Sequence, residues 1–439
     1  MSGGRVLVVL LITIGLLGSL ATGQPMYWRL LFMGVTFLLV SWILASLPVW
    51  GLKVKRQARS LRAGVGDIFE EHFEVSNSGR LTCLWVEVAN QSRMPGVSGS
   101  RLLTSIGGRQ KRTYLARTWL VRRGGFLLGP TVLTTGDPFG LFRTHKYFPA
   151  TDSLVVLPMI VEITAFLSPP GLLPGGKVIR RKALDITPHA AGVREYAPGD
   201  PMKRIHWPTT MRRQQLMVKE FEQDPQAEVW LFLDAQKNIH FELPYEIPME
   251  HLDSWLFSKR PTITLPPSTL EYAISIAASL AHYFIQQKRA VGFIAADRVK
   301  TVIPAERSMR QEDKILETLA FLEAEGEFPL VNVVAAQAGQ LPQGSSAILI
   351  TPSVQPEILS VVDDLQRRRL RPVVVLLAAE SFGGPGGSEN LARSLMERNV
   401  PVCLIYCNAD LAQTLSAFAA DPMYQDVIAW RRPILNHLT

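Results

Sequence analysis

The chain has 439 residues, of which 47% are hydrophobic and only 19% are charged, and its formal net charge is +8. This length can bury more than one hydrophobic core and predicts roughly two or three domains. So low a charged fraction argues against a purely soluble protein and points to membrane-embedded segments. The three cysteines, Cys83, Cys403 and Cys407, cannot all pair, and no histidine lies near the last two in the sequence. We therefore expect free thiols in a reducing compartment and no zinc site.

Two apolar runs at the start of the chain predict a transmembrane helical hairpin within residues 1–52. Residues 6–23 and 30–50 are each long enough to cross a hydrocarbon core of about 30 Å as a helix. A signal peptide is the alternative for the first run. Against it, no clear cleavage site is followed by a polar mature start, and the second run comes at once.

Basic residues at the ends of the two runs predict their orientation. The turn between the runs offers only Arg29, whereas five basic residues follow the second run before the first acid: Lys53, Lys55, Arg56, Arg59 and Arg62. The positive-inside rule then places both termini in the cytoplasm, with the rest of the chain below the inner face. We also expect this basic flank to attract anionic lipid headgroups.

Residues 53–160 predict an immunoglobulin-like β-sandwich. Short segments such as 68–75 and 84–88 are rich in strand-forming residues, and Gly/Asn turns separate them at regular spacing. The sequence GDPFGLF at residues 136–142 closes this region. It is a Pro/Gly turn, and we expect its apolar residues to pin it to the sandwich.

Residues 226–439 alternate between apolar strands and helices. The pattern predicts strands at residues 228–235, 290–296, 346–351, 372–378 and 400–407, and helices at 270–288, 308–324, 355–369, 389–398 and 411–418. Continuous Val, Ile and Leu in the strands indicate a parallel sheet covered on both faces. The fold class is therefore α/β, with a doubly wound C-terminal domain.

Asp234 ends the first of these strands, at the sheet edge where ligands usually bind. A strand, an Asp and a helix in a domain of this size resemble a von Willebrand factor A domain, a family in which an Asp-x-Ser-x-Ser loop helps to hold a metal. Here Gln236 and Asn238 replace the serines, and Lys237 adds a cation. We expect no metal at this degenerate position, and we expect Asp234 to cap the strand end or pair with a basic neighbour.

The sequence lacks the common motifs for nucleotide hydrolysis and peptide or ester hydrolysis. No Gly-Gly pair opens a helix with a following Lys-Ser/Thr, and Gly-x-Ser-x-Gly and His-Glu-x-x-His are absent. We therefore expect no enzyme and no cofactor. The weaker alternative is a hydrolase that uses Glu195, Asp200 and His206 as acid–base groups, although no Ser or Cys nucleophile lies beside His206.

Residues 161–225 form a basic segment rich in Pro and Gly. Between Lys177 and Lys219, ten basic residues face three acids, a difference of +7 that nearly equals the net charge of the chain. We expect this segment to be a clasp between the sandwich and the α/β domain or, alternatively, a surface for a partner or an anion. The candidate residues are Arg194, Glu195, Tyr196, Gly199, Asp200, Arg204, His206, Trp207, Lys219 and Glu220.

Local features of this segment give more detailed expectations. Residues 198–201 (PGDP) predict a tight turn, and the arginines on either side of it are expected to pair with Glu195 and Asp200. Trp207 is expected to bury its ring, and residues 216–221 alternate as a strand does. Nucleic acid is not an expected partner, because no recognised binding motif is present and the chain is tethered to a bilayer.

The same residues resemble the signature of the bacterial family known as domain of unknown function 58. The matching positions are Arg194, Glu195, Tyr196, Pro198, Gly199, Asp200, Arg204, Ile205, Trp207, Val218, Lys219, Glu220 and Phe221, together with residues 137–142. Pro208 and Thr209 depart from the family, which often has Lys and a small residue after the Trp. The resemblance covers the architecture of the whole chain and implies association with MoxR-type AAA+ ATPases, with no established enzymatic activity.

These observations together predict a membrane-anchored adaptor or assembly factor in the bacterial inner membrane. Its cytoplasmic von Willebrand A-like domain is expected to present loops to a protein partner. The alternative from another class is an anion-binding or lipid-binding membrane module.

Overall fold

The computed structural model describes residues 3–150, 152–167, 190–197, 202, 205–221, 228–246 and 264–420. It has a mixed α/β structure with two N-terminal apolar helices and several sheets. The chain divides into two compact units. Unit 1 comprises residues 1–160, 242–278 and 313–322, and unit 2 comprises residues 161–241, 279–312 and 323–439.

Two helices open unit 1, as the apolar runs predict. Helix α1 spans Gly3–Thr22 and α2 spans Pro25–Gly51, with mean hydropathies of 2.2 and 2.3 over their most apolar stretches. Both are long and apolar enough to cross a membrane. They pack closely, because a methyl group on Gly15 would lie 2.9 Å from the backbone nitrogen of Leu31. Small residues at such contacts let helix backbones approach each other.

The rest of the first segment of unit 1 consists of strands. These are β1 Leu52–Ala58, β2 Arg62–Gly64, β3 Ile68–Asn77, β4 Cys83–Asn90, β5 Arg101–Ile106, β6 Lys111–Trp119, β7 Gly124–Leu128, β8 Thr131–Gly136, β9 Arg143–Phe148 and β10 Asp152–Leu157. They form three sheets with the orders β1-β3-β6, β5-β4-β8-β9 and β2-β10-β7. Phe73 and Val75 of β3 share a core cluster with Val86 of β4 and Leu133 of β8, which joins the first two sheets.

The first three residues of the basic flank, Lys53, Lys55 and Arg56, lie on strand β1, whose side chains alternate between the core and the solvent. Arg56 points inward, with a side chain only 10% exposed, and binds both oxygens of Glu71 at 2.5 and 2.9 Å. Its guanidinium also lies 5.2 Å from the ring centroid of Phe73. Arg56 is therefore a core residue of this structure, whereas Lys53 and Lys55 are exposed.

The other two basic residues of the flank also lie near acids. Arg59 lies 3.6 Å from Glu70, and Arg62 lies 2.8 Å from Glu317. The side chains of these pairs are partly or largely exposed, so each contact contributes little to stability.

Strand β9 runs along the last turns of α2. The ammonium group of Lys146 donates hydrogen bonds to the carbonyls of Leu52 at 2.7 Å and Trp50 at 3.3 Å. The hydroxyl of Thr144 donates to the carbonyl of Ala45 at 3.1 Å. A cation at a helix C-terminus satisfies free carbonyls and opposes the negative end of the helix dipole. These bonds join the end of α2 to the four-stranded sheet.

Unit 2 contains the basic segment and most of the C-terminal α/β region. Its elements, including two helices shared with unit 1, are β11 Ala190–Glu195, α3 Trp207–Arg213, β12 Met217–Phe221, β13 Val229–Leu233, α4 Thr269–Gln286 (shared), β14 Val291–Ala296, β15 Lys300–Glu306, α5 Met309–Phe321 (shared), α6 Leu330–Ala338, β16 Ser346–Thr351, α7 Glu357–Arg367, β17 Arg371–Leu377, α8 Ser388–Met396, β18 Val402–Ile405 and α9 Leu411–Ala420. The predicted strands and helices of this region are confirmed, with ends shifted by a few residues.

The principal sheet of unit 2 has the order β15-β14-β13-β16-β17-β18. All its neighbouring pairs are parallel except β14 and β15, which are antiparallel. Every residue of β13, β14 and β16 is buried, so both faces of the central strands are covered. Strand β15 and helix α6 were not predicted from the sequence. Strand β15 alternates between exposed and half-buried residues, because an edge strand lacks the continuous apolar pattern of a central one.

We expect Arg56→Met to lower the free energy of unfolding by about 3–5 kcal/mol, because it leaves the buried carboxylate of Glu71 without its partner. Arg59→Met is the matched control. The Arg59 side chain is 83% exposed, and we expect its loss to cost at most about 1 kcal/mol. Chemical unfolding of the full-length protein in detergent, followed by circular dichroism, measures both. Equal stabilities of the two variants would contradict a structural role for the Arg56 pair.

Candidate functional site

Two polar side chains meet at the carboxyl end of the principal sheet. In the pairing of β13 with β16, Leu233 lies opposite Ile350, so Asp234 and Thr351 leave adjacent strands at the same level. Asp234 is only 2% exposed. Its carboxylate accepts a hydrogen bond from the Thr351 hydroxyl at 2.7 Å and another from the backbone N–H of Gln236 at 3.3 Å. The sheet therefore holds a buried carboxyl group at the edge where ligands bind in such folds.

Burial raises the pKa of Asp234 to about 6, although the hydrogen bonds from Thr351 and Gln236 work in the opposite direction. Removal of a carboxylate from water disfavours its charged form. A titratable group with a strongly shifted pKa in a cleft is a common mark of a functional site, although structural groups also show such shifts.

Gly326 holds the loop that follows Asp234. Its carbonyl accepts a hydrogen bond from the N–H of Lys237 at 3.0 Å, and its own N–H donates to the carbonyl of Ala235 at 2.9 Å. A Cβ atom on residue 326 would lie 2.2 Å from the carbonyl oxygen of Ala296. Only glycine allows this approach between the loop and the two strand ends.

His240 supports the same loop from its far end. Its Nε2 atom lies 3.0 Å from the backbone carbonyl of Asp234, which requires that this nitrogen carry a proton. Burial lowers the pKa of His240 to about 4, so the ring is neutral at physiological pH. The sequence analysis missed this residue, because a lone histidine six positions after the aspartate belongs to no known motif.

A cleft with about 330 Å³ of space, part of it open to solvent, lies beside Asp234. Its lining combines polar groups at the strand ends with apolar residues of β16 and helices α6 and α7: Asp234, Gln236, Pro329, Leu330, Val331, Leu349, Thr351, Ser353, Gln355, Ile358 and Val361. The backbone N–H of Ser353 donates to the Thr351 hydroxyl at 2.9 Å, so the polar groups are linked to one another.

This donor set does not form a cage for a divalent cation. Asp234 is the one carboxylate among the described residues that line the cleft, and no group of three or more His, Cys, Asp or Glu side chains suited to a metal occurs in the described ranges. Calcium and magnesium need several oxygen ligands. In the described part of the chain the Asp234 carboxylate contacts a hydroxyl and an amide, which matches the expected strand-end cap and not a pair with a basic neighbour.

The signature segment forms a hairpin in which a short helix joins two strands. Strands β11 and β12 pair antiparallel in a separate two-stranded sheet, with Arg194 opposite Val218 and Glu195 opposite Met217. The N–H of Tyr196 donates to the carbonyl of Leu216 at 2.8 Å. The strand predicted at residues 216–221 is thus confirmed, and Lys219 and Glu220 lie on it. Gly199, Asp200 and Arg204 fall outside the described residues.

Helix α3 presents its first residue and its last turn to the solvent. Trp207 is 61% exposed and Met211 is 79% exposed, and Arg212 and Arg213 are exposed as well. The expectation that Trp207 buries its ring is therefore wrong. The core of the hairpin is formed instead by smaller neighbours such as Ile205, Met217 and Val218.

Among the described residues, His206 contacts the start of α3 and β12. Its N–H donates to the carbonyl of Met217 at 2.8 Å, and its Nδ1 atom lies 2.7 Å from the hydroxyl of Thr209. These contacts orient the first turn of the helix. The structure thus brings His206 to Thr209, and the Glu195 side chain is exposed.

Most of the hairpin lies in the part of the chain that matches a known protein family. Residues 192–244 match the family described as "Protein of unknown function DUF58". Over 418 residues the chain is 21% identical to the uncharacterized protein YeaD of Bacillus subtilis (strain 168), a match that covers 91% of this chain and 94% of the relative.

Two solved structures show a weak resemblance to this chain. The CARDB domain of the PF1109 protein from Pyrococcus furiosus matches 24% of this chain and 87% of its own, at 15% identity and a TM-score of 0.19. An exo-β-N-acetylglucosaminidase of family GH20 from Vibrio harveyi matches 79% of this chain and 59% of its own, at 9% identity and a TM-score of 0.17. Neither likeness supports an argument about this chain.

Asp234→Asn is expected to stabilise the protein near neutral pH. The acid is protonated up to about pH 6 in the folded state but ionises near 3.8 when unfolded, so the folded state binds the extra proton between these values. Stability therefore falls as pH rises through this window, by at most about 3 kcal/mol in total. We expect wild type and variant to be similar near pH 4 and the variant to be more stable near pH 7.5.

Thermal unfolding of both proteins across this pH range measures the effect. His240 titrates in the same window with the opposite sign, but it is present in both proteins, so their difference reports on Asp234. A variant less stable than wild type near neutral pH would mean that the ionised carboxylate is held favourably, for example by a cation.

Proposed function

We propose that this chain, which belongs to the DUF58 family of proteins of unknown function, is a membrane-anchored adaptor that presents its soluble units to a protein partner. The single observation that carries this proposal is the exposed surface of helix α3, in the segment that matches the family. We define the α3 surface as Trp207, Met211, Arg212, Arg213 and Leu216.

The composition of the α3 surface is that of a protein-binding site. Trp207, Met211 and Leu216 are 61%, 79% and 46% exposed, and two arginines lie beside them. Trp, Met and Arg are enriched at protein interfaces, and Trp and Arg dominate the residues that contribute most to affinity. Large side chains in water gain free energy when a partner covers them.

The hairpin supports this surface from below. Met217 and Val218 are each 2% exposed, and the N–H of Met217 donates to the Thr210 hydroxyl at 3.0 Å. A short helix held in this way keeps its exposed residues in place, which lowers the entropy that is lost on binding.

The proposed partner is a MoxR-type AAA+ ATPase, as the family resemblance implies. The adaptor would act by binding and not by chemical conversion. The hydrogen bonds of Asp234 favour this view, because the donors that occupy its carboxylate come from its own sheet and loop. A hydrolase centred on Glu195, Asp200 and His206 has less support, since the described contacts of His206 are those of a residue that orients a helix.

Finer assignments of the fold belong to the same proposal. We assign unit 2 to a von Willebrand A-like fold, because its parallel sheet has an antiparallel edge strand and ends at Asp234 on a central strand. An immunoglobulin-like sandwich is proposed for the strands β1 to β10, supported by the core cluster shared between the sheets β1-β3-β6 and β5-β4-β8-β9.

The anchor is proposed to be the helix pair α1 and α2, which would cross the bacterial inner membrane twice. Mean hydropathies above 2 and lengths of 20 and 27 residues support this. Exposed Lys53 and Lys55 just after α2 favour a cytoplasmic position for the soluble units, because basic residues stay on that side. Both lysines also remain available for anionic headgroups.

A photo-crosslinker at residue 207 or 211 is expected to trap an AAA+ ATPase in native membranes. The control carries the crosslinker at Val299, which is 71% exposed on the turn between β14 and β15 of the same unit. Crosslinks at the α3 positions but not at Val299 support the proposal. No protein adduct at either α3 position, in any nucleotide state, would contradict it.

Trp207→Ala is expected to weaken the same association by about 2 kcal/mol, or roughly 30-fold, if Trp207 is a hot-spot residue. Unfolding of the variant should match wild type, because the side chain is exposed. Affinity is measured by titration of the solubilised protein with the ATPase that the crosslinks identify. An unchanged affinity would exclude Trp207 from the interface.

Cysteine labelling tests the orientation. In intact spheroplasts, a membrane-impermeant maleimide is expected to label Gln24→Cys, in the turn between the helices, and to leave Leu81→Cys unlabelled until the membrane is opened. Leu81 is 46% exposed in unit 1, so its protection would come from the membrane. The reverse pattern would place the soluble units outside the cytoplasm.

A further inference from the structure

The turn at residues 137–142 between β8 and β9 lies against the apolar helices, and the adaptor proposal makes no use of it. We call it the 137–142 turn. From the sequence, its apolar residues are expected to pin it to the sandwich. Leu141 is indeed buried, but Phe139 is 57% exposed and contacts α2.

Asp137 shapes this turn from within. The residue is only 1% exposed, and its carboxylate accepts hydrogen bonds from the N–H groups of Phe139, at 2.9 Å, and Phe142. Its own carbonyl accepts from the N–H of Gly140, which has a φ of +71°. The N–H groups of Phe139, Gly140 and Phe142 are thus bonded within the turn, and the exposed tip consists of Pro138, Phe139 and Gly140. The N–H groups of this tip are therefore already satisfied when it enters an apolar medium, where unsatisfied backbone groups are costly.

Helices α1 and α2 contact the turn at two different heights along the helix pair. Arg5 of α1 donates a hydrogen bond to the carbonyl of Leu141, and its guanidinium lies 5.0 Å from the ring centroid of Phe142. The ring of Phe139 lies 4.7 Å from that of Phe37 in α2.

The contact with Phe37 lies deeper along the helix pair than the contact with Arg5. In the antiparallel pair of α1 and α2, Gly15 lies beside Leu31 and Ile12 lies beside Gly34. A residue of α1 therefore lies level with the residue of α2 whose number brings their sum to about 46. Arg5 is therefore level with residue 41 of α2. Phe37 lies one helical turn, or about 6 Å, from residue 41 toward the connection between α1 and α2. The aromatic tip thus projects past the charged end of α1 toward the middle of the pair.

The dimensions of α2 place this contact inside a bilayer. Its 27 residues extend about 40 Å, which exceeds the hydrocarbon core of about 30 Å by about 10 Å. Residues on β9 cover only the last turns, at Ala45 and beyond. Phe37 lies 14 residues before the end of α2, or about 21 Å, which is more than the excess length of the helix.

We propose that the 137–142 turn is a membrane-inserting loop, whose Phe139 side chain enters the acyl-chain boundary of the leaflet nearest to the strands of unit 1. The proposal rests on the membrane anchor proposed above. The ligand is the lipid bilayer itself, recognised through apolar contact beside α2. Insertion of Phe139 removes its exposed ring from water, which is favourable. The turn would fix the distance and tilt of the β strands relative to the membrane.

Depth-dependent quenching tests this. Full-length Phe139→Cys in a Cys407→Ser background is labelled with bimane and reconstituted into vesicles of phosphatidylcholine and phosphatidylglycerol. The other two thiols are buried. We expect a strong loss of fluorescence with lipids that carry a nitroxide near the top of the acyl chain, a smaller loss with a nitroxide near the chain end, and little loss with aqueous iodide.

Two control positions distinguish a failure of the insertion proposal from a failure of the membrane-anchor proposal. Leu17→Cys reports on α1, where Leu17 is 67% exposed, and Leu127→Cys reports on β7, where Leu127 is 64% exposed. We expect lipid nitroxides to quench the first and iodide the second. If Leu17 escapes the nitroxides, the anchor itself is wrong. If Leu17 is quenched by lipid but residue 139 only by iodide, or by neither reagent, insertion is overturned and the anchor stands. Should Phe139→Cys fail to fold, Pro138→Cys at the same tip gives the same readout.

Discussion

The contact between helix α2 and strand β9 is the constraint on which the arrangement of the strands of unit 1 beside its helices depends. Lys146 places its ammonium group at the carbonyl end of α2, where the helix dipole is negative. Strand β9 is itself paired along its length with β8. The helix end, the four-stranded sheet and the turn between β8 and β9 therefore form one bonded assembly, and a rotation of the sheet about α2 would break several hydrogen bonds at once.

Several charged groups of unit 1 that lie near the helices are bonded within the unit. Arg56 forms an ion pair with the buried carboxylate of Glu71, and the carboxylate of Asp137 accepts hydrogen bonds from the backbone of its own turn. Arg5 is covered by Leu141 and Phe142. Bonded N–H groups lower the cost of entering a bilayer, so the interactions that order the turn also support its proposed insertion.

Unit 2 has the opposite character, with its distinctive groups at a polar strand end and on an exposed helix. At the strand end, Asp234 is held by Thr351 and by the N–H of Gln236, so burial and hydrogen bonding define its state. On the hairpin, Trp207 and Met211 remain in water. The polar groups at the strand end are bonded to one another, whereas the large side chains on α3 are exposed, and this contrast supports the proposed binding through α3.

Features with a strong local pattern were determined by the sequence itself. The apolar runs in α1 and α2 and the continuous apolar strand at residues 346–351 could be predicted, because length and periodicity carry the information. Only the tertiary structure decided that Arg56 is buried, that Trp207 is exposed, that β15 adds an edge strand and that the 137–142 turn meets α2. The polarity of a residue can be read from the sequence, but its burial depends on side chains that come from distant parts of the chain.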